Sequence, residues 1–429
     1  MRSYALEVAR SLLGMLVLLV LGALLSDNRR KIRPRVVVTA LLSQTAIGAL
    51  VLFVPLGRML LSALASGVSQ LLAYGNAGVS FIFGGLVGPK MFALFPDDGY
   101  IFGLRVLPII IFVTSLISVL YYVGVMRWIV KVLGEVFHRL LGVSRLESFS
   151  AVTTLFVGVA EMSALVKPFI ANMSGPELFA VMTSGLAAVS GSVLAGYVGL
   201  GVRIDYLIAA SFMAIPGGLL FAKILCPSTG PSTVTFDEAR FEDHRPANVI
   251  EAASVGAEVG LRIAMMIGAM LIAFIGLIAL LNGVVGTIAG WMGYGNITLE
   301  SLFGVAFAPL MFLLGVPWRD AAIAGGFVGQ KLILNEFIAY AGLAPYLKDA
   351  ASVVASGRQV LAPKTITIIS FALCGFANFS SVGILTGCFS AVAPDRRGEV
   401  ARYGLRVVAA ATLSNLMSAD IAGLFVSMT

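Results

Sequence analysis

The chain has 429 residues, of which 59% are hydrophobic and 12% charged, with a formal net charge of +7. Soluble globular chains carry about 25% charged and about 45–50% apolar residues, so this one has too little polar surface to coat a water-soluble globule. A soluble enzyme, a disordered tail and a collagen-like rod are excluded, which leaves an all-α integral membrane protein with room for roughly eight to ten spans of about 20 residues.

The first apolar run, roughly 5–25, lacks a small-residue cleavage site and reads as a span rather than a signal peptide. Behind it, Ser26–Arg35 holds five basic residues and one acid, which places that loop in the cytoplasm and the N-terminus outside. Basic residues recur in short loops between apolar runs, a positive-inside pattern and not a nucleic-acid-binding surface. A second span covers roughly 36–55. Residues 58–75 are shorter and mixed and suit an interfacial helix. A third span covers roughly 101–125. Residues 126–141 are amphipathic, with Arg127, Lys131, Glu135, His138 and Arg139 near helical spacing on one side, and suit a cytoplasmic interfacial helix in which His138 is solvated.

Residues 148–173 are apolar but interrupted by Gly158 and Glu161 and ended by Lys167-Pro168, which suits a re-entrant hairpin better than a span. Spans follow at roughly 176–200 and 204–225. Residues 226–250, rich in Pro, Ser and Thr with four acids, form a solvated loop that carries His244. A long span at roughly 256–290 and an interfacial helix near 298–313 precede a second interrupted segment, roughly 317–345. Residues 363–391 are apolar around a polar centre at Asn378 and Ser381. The loop at 395–406 is arginine-rich and cytoplasmic, and a last span, roughly 399–427, exits outward. Cys226, Cys374 and Cys388 lie in or beside apolar segments without CxxC spacing and read as buried thiols, with no disulfide framework and no metal site.

The second half echoes the first. A hairpin with a central glutamate, a polar-centred span and a closing span appear at 148–225 and again, in the opposite sense, at 317–427. Glu161 matches Glu336, and Ser190-Gly-Ser192 matches Asn378-Phe-Ser-Ser381. Four units follow: 1–145 as scaffold, 146–225 as the first transport repeat, 226–316 as scaffold again, and 317–429 as the second transport repeat. Inverted repeats with interrupted segments in matching positions mark a secondary transporter with its site near the midplane. Close helix packing explains the glycines. It does not explain carboxylates and an asparagine at membrane depth, where a centred acid costs about 2.5–3.5 kcal/mol on insertion scales.

Glu336, Asn335, Asn378 and Ser381 together offer a carboxylate, amides and a hydroxyl, a set suited to a ligand with vicinal hydroxyls such as a sugar. Lys331 could partner Glu336 across the hairpin; equally, Lys331 and Asn335 could bond the backbone and hold the hairpin tip. Phe376 offers a ring face for a planar base, or simply packs. No GxxxxGK[ST] phosphate loop is present, since Gly84–Lys90 lacks the ending, so ATP hydrolysis does not supply the energy and an ion gradient is the remaining source. A serine nucleophile with Lys167 as base lacks a motif context.

Gly329-Gln-Lys331-Leu-Ile-Leu-Asn335-Glu-Phe-Ile-Ala-Tyr340 resembles the GxKxxxNEFVAY signature of concentrative nucleoside transporters. Glu147-Ser-Phe-Ser-Ala-Val, Glu177-Leu-Phe-Ala-Val-Met-Thr183, Ser190-Gly-Ser-Val-Leu-Ala-Gly-Tyr197 and Gly375-Phe-Ala-Asn-Phe-Ser-Ser381 resemble the same family, closest to its bacterial branch that includes pseudouridine transporters. The resemblance covers essentially the whole chain. It implies eight transmembrane helices, two opposed re-entrant hairpins, a homotrimer and an elevator motion. It further implies that Glu336, Asn378 and Ser381 bind ribose, that Phe376 and Val193 line the nucleobase and that Glu161 contacts it.

Two departures from the family pattern bear on function. The first hairpin usually reads GQTE at its tip, where this chain has Val159 and Ala160 in place of the two polar base-reading side chains, which implies altered base discrimination. Sodium-coupled members carry an asparagine where Thr154 stands and a serine where Ala188 stands, with carbonyls at the positions of Val157 and Val189 as the other ligands. Ala188 offers no side-chain oxygen, which favours protons over sodium, with Glu161 or Glu336 as the proton carrier. The expectation is an ion-coupled nucleoside importer, multi-pass in a bacterial inner membrane with both termini outside, needing no cofactor beyond the coupling ion and binding no nucleic acid. The alternatives are a nucleoside sensor without transport and an intramembrane hydrolase.

Overall fold

The computed structural model describes residues 2–88, 91, 94–95, 101–228, 230, 232, 234, 246–293 and 297–428, with side chains from residue 7 onward. The expectation for His244 lies outside the described residues. The fold is all-helical. Its first part comprises α1 (Arg2–Leu24), α2 (Pro34–Leu52), α3 (Pro55–Phe83), α4 (Leu107–Val123) and α5 (Val125–Leu141). The first repeat follows as α6 (Arg145–Thr153), α7 (Val159–Ile170), α8 (Gly175–Ala187), α9 (Gly191–Gly199) and α10 (Ile204–Leu225). Next come α11 (Val249–Trp291) and α12 (Leu299–Leu313). The second repeat is α13 (Trp318–Ile333), α14 (Glu336–Leu343), α15 (Pro363–Leu373), α16 (Phe379–Val392) and α17 (Arg397–Val426).

Eight of the described helices or helix pairs are long and apolar enough to cross a membrane. Their identities differ in two places from the sequence expectation. Residues 58–75, read as interfacial, belong to the 29-residue α3, which qualifies as a span. Scattered serines, Gln70 and Arg58 thin its apolar signal without breaking the helix. Residues 363–391 form two short helices, α15 and α16, because the chain breaks at Cys374–Asn378.

The spans sort by burial. The α8–α9 pair, α10 and α17 are almost wholly enclosed by protein, whereas α3, α4 and α11 leave most of their surface outward. An apolar helix with an exposed apolar surface needs lipid or another subunit around it. The 43-residue α11 lies along α4, and Gly256 and Gly260 make that approach possible: a Cβ on either would sit 2.7 Å from the Cα of Ser115 or Ile111. The sequence grouped α1 and α2 with α4. In the structure both pack on α10 and α17, the closing helices of the two repeats. Gln44 of α2 donates to the Ser418 hydroxyl of α17 at 2.8 Å, and Arg406 of α17 reaches Asp27 at 2.6 Å and the Leu225 carbonyl at 3.0 Å.

The amphipathic α5 matches expectation, with Arg139 and Arg145 both pairing with Glu135. The Arg139 guanidinium, and behind it Arg145, holds the Glu135 carboxyl below the usual carboxylate range. His138, expected in solvent, is half-buried, and its Nδ1 donates to the Val143 carbonyl at 2.6 Å, closing the helix C-terminus. Lys167 is exposed.

Candidate functional site

Both repeats contain a broken hairpin and a broken span. Helices α7, α9, α14 and α16 therefore begin inside the protein, after Gly158, Ser190, Asn335 and Asn378. A helix start presents backbone N–H groups without partners and a positive dipole end. In the second repeat asparagines cap two of these starts: Asn335 Oδ1 accepts from Ile338 N at 2.9 Å, and Asn378 Oδ1 from Ser381 N at 2.9 Å. Asn335 is thus committed to holding the hairpin, one of the two readings the sequence left open.

Capping fixes Asn378 so that its amide nitrogen points at Glu336, the first residue of α14. Asn378 Nδ2 donates to Glu336 Oε2 at 2.8 Å, and the Tyr197 hydroxyl of α9 donates to Oε1 at 3.1 Å. Asn378 Oδ1 also receives the hydroxyls of Ser380 at 2.7 Å and Ser381 at 2.9 Å. Glu336, Asn378 and Ser381 are all buried. The carboxylate is therefore fixed in direction by one donor from each repeat and keeps lone pairs for further donors.

An aromatic cluster backs this arrangement. The Tyr197 ring packs on Phe337 and Tyr340 with centroids 4.6 and 4.5 Å apart, and the Tyr340 hydroxyl donates to the Ser370 carbonyl at 2.7 Å. Val193 is buried one turn before Tyr197 on the same helix face. Phe376 is half-buried in the break of the second repeat.

Lys331 does not pair with Glu336. Its Nζ donates to the Ala372 carbonyl and to Asn415 Oδ1, both at 2.7 Å. The Asn415 amide in turn donates to the Ala187 carbonyl at 2.7 Å and the Cys374 carbonyl at 2.9 Å. One asparagine of α17 thus joins the second hairpin to the last turn of α8 and to the break after α15. Gly375 stands against it. A Cβ there would lie 2.7 Å from the Ala187 carbonyl and would collide with the Asn415 amide. Asn415, Tyr197 and Ser380 were not singled out as site residues from sequence. Asn415 carried the same signal as Asn378, an amide in an apolar helix, and Tyr197 only the polar tip of an aromatic.

The first hairpin is less enclosed. Glu161 stands in the first turn of α7, half-buried, within electrostatic reach of Tyr121 on α4 and Cys388 on α16. Helix α7 packs on α16, the helix that Asn378 caps. Val159 is buried against Gly185, and Ala160 is exposed. At the positions matching the sodium site, Thr154, Ala188 and Val189 are buried and Val157 is half-buried. The Thr154 hydroxyl donates to the Ala151 carbonyl at 2.8 Å. A Cβ on Gly191 would be 3.7 Å from the Leu155 carbonyl, so the breaks of the hairpin and of the α8–α9 span lie side by side.

Family models cover most of the chain. Residues 206–423 match the C-terminal model and 13–86 the N-terminal model of the Na+ dependent nucleoside transporters, and residues 103–203 match a nucleoside recognition (Gate) model. The chain is 51% identical to NupX of Escherichia coli (strain K12) over 98% of its own length and 100% of the relative. It is 44% identical to the nucleoside permease NupC of Helicobacter pylori (strain ATCC 700392 / 26695), covering 97% of this chain and 98% of that one. Among solved structures, the transporter CNTnw in an inward-facing substrate-bound state superposes with a TM-score of 0.93 at 50% identity, covering 99% of both chains. A variant of CNTnw in an outward-facing state superposes at 0.92 and 50% identity over 98% of each chain. The chain belongs to the concentrative nucleoside transporter family: it is a membrane transporter with the fold of the elevator-type carriers, and not an enzyme.

Proposed function

We propose that this protein imports nucleosides by alternating access, with Glu336, Asn378 and Ser381 holding the ribose hydroxyls and Glu161, Val193 and Phe376 bounding the base. The observation that carries the reading is the buried Glu336 carboxylate, oriented by Tyr197 and Asn378 from opposite repeats. A fixed acceptor inside the protein gains most from a ligand that brings its own hydroxyl donors. CNTnw, the structural relative, has been captured both inward-facing with substrate and outward-facing. The moving unit comprises the two repeats with α1 and α2 packed on them; α4 and α11, whose apolar faces point outward, form the scaffold of a homotrimer. Both termini lie outside, since the arginine-rich loops gather at the opposite end, where Arg406 meets Asp27.

Proton symport is the first reading of the coupling. Thr154 is the one side-chain oxygen among the four sodium-site positions, since Val157, Ala188 and Val189 carry none. Sodium is the second reading, supported by the sodium dependence in the family description and by the lone pairs left on Thr154. The experiment is uptake of labelled uridine into proteoliposomes with a proton or a sodium gradient imposed alone. Uptake driven by the pH gradient and absent in Glu336→Gln is expected. Sodium-driven uptake at equal pH would reject the proton reading, and full uptake by Glu336→Gln would reject the site.

A further inference from the structure

Five acids are buried among the described residues, and four of them have donors. Glu147 takes Lys223 and the Ser144 amide. Glu177 takes Ser174 and Ser232. Asp320 takes Gln359, the Ala362 amide and Thr365. Glu336 takes Tyr197 and Asn378. Asp420, on α17, is the fifth. It is fully enclosed, and neither of its oxygens has a hydrogen-bond partner among the described residues.

Its surroundings are built around it. Gly14 of α1 leaves the space it fills, since a Cβ there would lie 2.5 Å from Asp420 Oδ2 and 2.9 Å from the Leu313 carbonyl. The Ser11 hydroxyl, also fully buried, is the one neutral donor near enough to act on the carboxyl, although the two do not meet in ordinary hydrogen-bond geometry. Two cations act on the site, and each is engaged elsewhere. Arg10 donates to the Gly315 carbonyl at 2.7 Å and stacks over Phe312, and Lys364 pairs with Glu7 at 3.2 Å. Lys364 nevertheless lies next to the pocket: a Cβ on Gly315 would be 3.2 Å from both Lys364 Nζ and Ser11 Oγ. On the other elements at this end, Asp320 is fully bonded and Asp205 of α10 is paired with Arg203.

An ionised carboxylate enclosed beside one neutral hydroxyl, with its two nearest cations bound to other groups, is disfavoured, whereas a neutral acid is tolerated. We propose that Asp420 is a proton-exchanging site, and that loss of its proton is answered by Lys364 leaving Glu7 for the Asp420 carboxylate. The proton moves between an Asp420 oxygen and water admitted past the half-exposed Glu7; no other bond changes. Lys364 stands in the first turn of α15, and the far end of that helix is the break gripped by Lys331 and Asn415. The partner exchange therefore pulls on one end of an element whose other end belongs to the substrate site. By reciprocity, substrate binding and protonation then affect each other. This consequence rests on the transport reading; the proton site itself does not.

The test uses the full-length protein in proteoliposomes, measuring exchange of labelled uridine at equal pH on both sides across a pH series. The wild type should show a pH midpoint. Asp420→Asn, fixed in the neutral shape, should lose that midpoint and keep only the pH dependence of the coupling proton. Lys364→Gln, lacking a facing cation, should move the midpoint up by about one unit. A wild-type pH profile in Asp420→Asn, or an unmoved midpoint in Lys364→Gln, overturns the proposal, and the second variant decides alone should the first not fold. Failure of the wild type to exchange uridine would instead count against the transport reading. In that event a pH-titrating carboxylic-acid infrared band that disappears in Asp420→Asn still establishes the site, and the absence of such a band overturns it.

Discussion

Tyr197 of the first repeat donates its hydroxyl to Glu336 of the second at 3.1 Å, so the carboxylate that stands in the candidate ribose site is oriented across the inverted-repeat boundary. Tyr197→Phe keeps the ring packed on Phe337 and Tyr340 and removes that donor alone. A hydrogen bond to a charged group is worth about 1.5–3 kcal/mol. Uridine binding should weaken by about tenfold or more, and the melting temperature of the ligand-free protein should also fall, since the buried bond is present without ligand. Titration of purified protein with uridine measures the first, and a melting curve the second.

Asn415 should matter more for stability than for affinity. It satisfies Lys331 and two backbone carbonyls in the interior, and Asn415→Ala leaves all three without this partner. The expected loss is about 3 kcal/mol or more, seen as a large fall in melting temperature. Thr412, on the same helix, has a buried hydroxyl with no partner among the described residues, so Thr412→Val should be neutral or stabilising. Equal effects from the two changes would contradict the role given to Asn415.

The two departures in the first hairpin should behave differently from one another. Ala160 is exposed, so Ala160→Thr should fold normally and alter the ranking of nucleosides in competition uptake. Val159 is packed against Gly185, so Val159→Gln buries an amide and should lower the melting temperature, by about 1–3 kcal/mol in stability terms. The double variant should recover part of that loss if the amide finds a partner on the new hydroxyl.

Much of this arrangement was legible in the sequence. Glu336, Asn378 and Ser381 stood out because polar groups in apolar runs need partners, and the structure places them in one hydrogen-bonded set. The interrupted hairpins were legible, but the polar centres at Ser190 and Asn378 suggested positions within continuous spans and are breaks between helices. The pairing of Lys331 was not legible. Its spacing left an ion pair with Glu336 and backbone bonding both open, and the choice was made by the Ala372 carbonyl and by Asn415, 84 residues away. Span packing was also hidden: the few polar residues of α1 and α2, such as Ser11 and Gln44, do not say which helix they face, and only the structure places them against α10 and α17. Asp420 drew no attention because a lone acid near the end of an apolar helix looks like a solvated terminus until its enclosure is seen.

The cysteines give a check on burial. Cys226 and Cys374 are buried and Cys388 is half-buried. Burial pushes the Cys226 thiol up to about 11, so at pH 8 about 0.1% of it is the reactive thiolate. Iodoacetamide should therefore label Cys388 first, by peptide mass analysis, and Cys226 only under denaturing conditions. Rapid labelling of Cys226 in the folded protein would contradict the packing of α10 against α17.

The claim that Glu336 grips a sugar hydroxyl is tested most directly by comparing uridine with 3′-deoxyuridine on the wild type and on Glu336→Gln. The wild type should bind uridine about 10–100-fold more tightly than the deoxy analogue, and the variant should bind both about equally. A variant that keeps the full wild-type preference would show that the hydroxyl is read elsewhere.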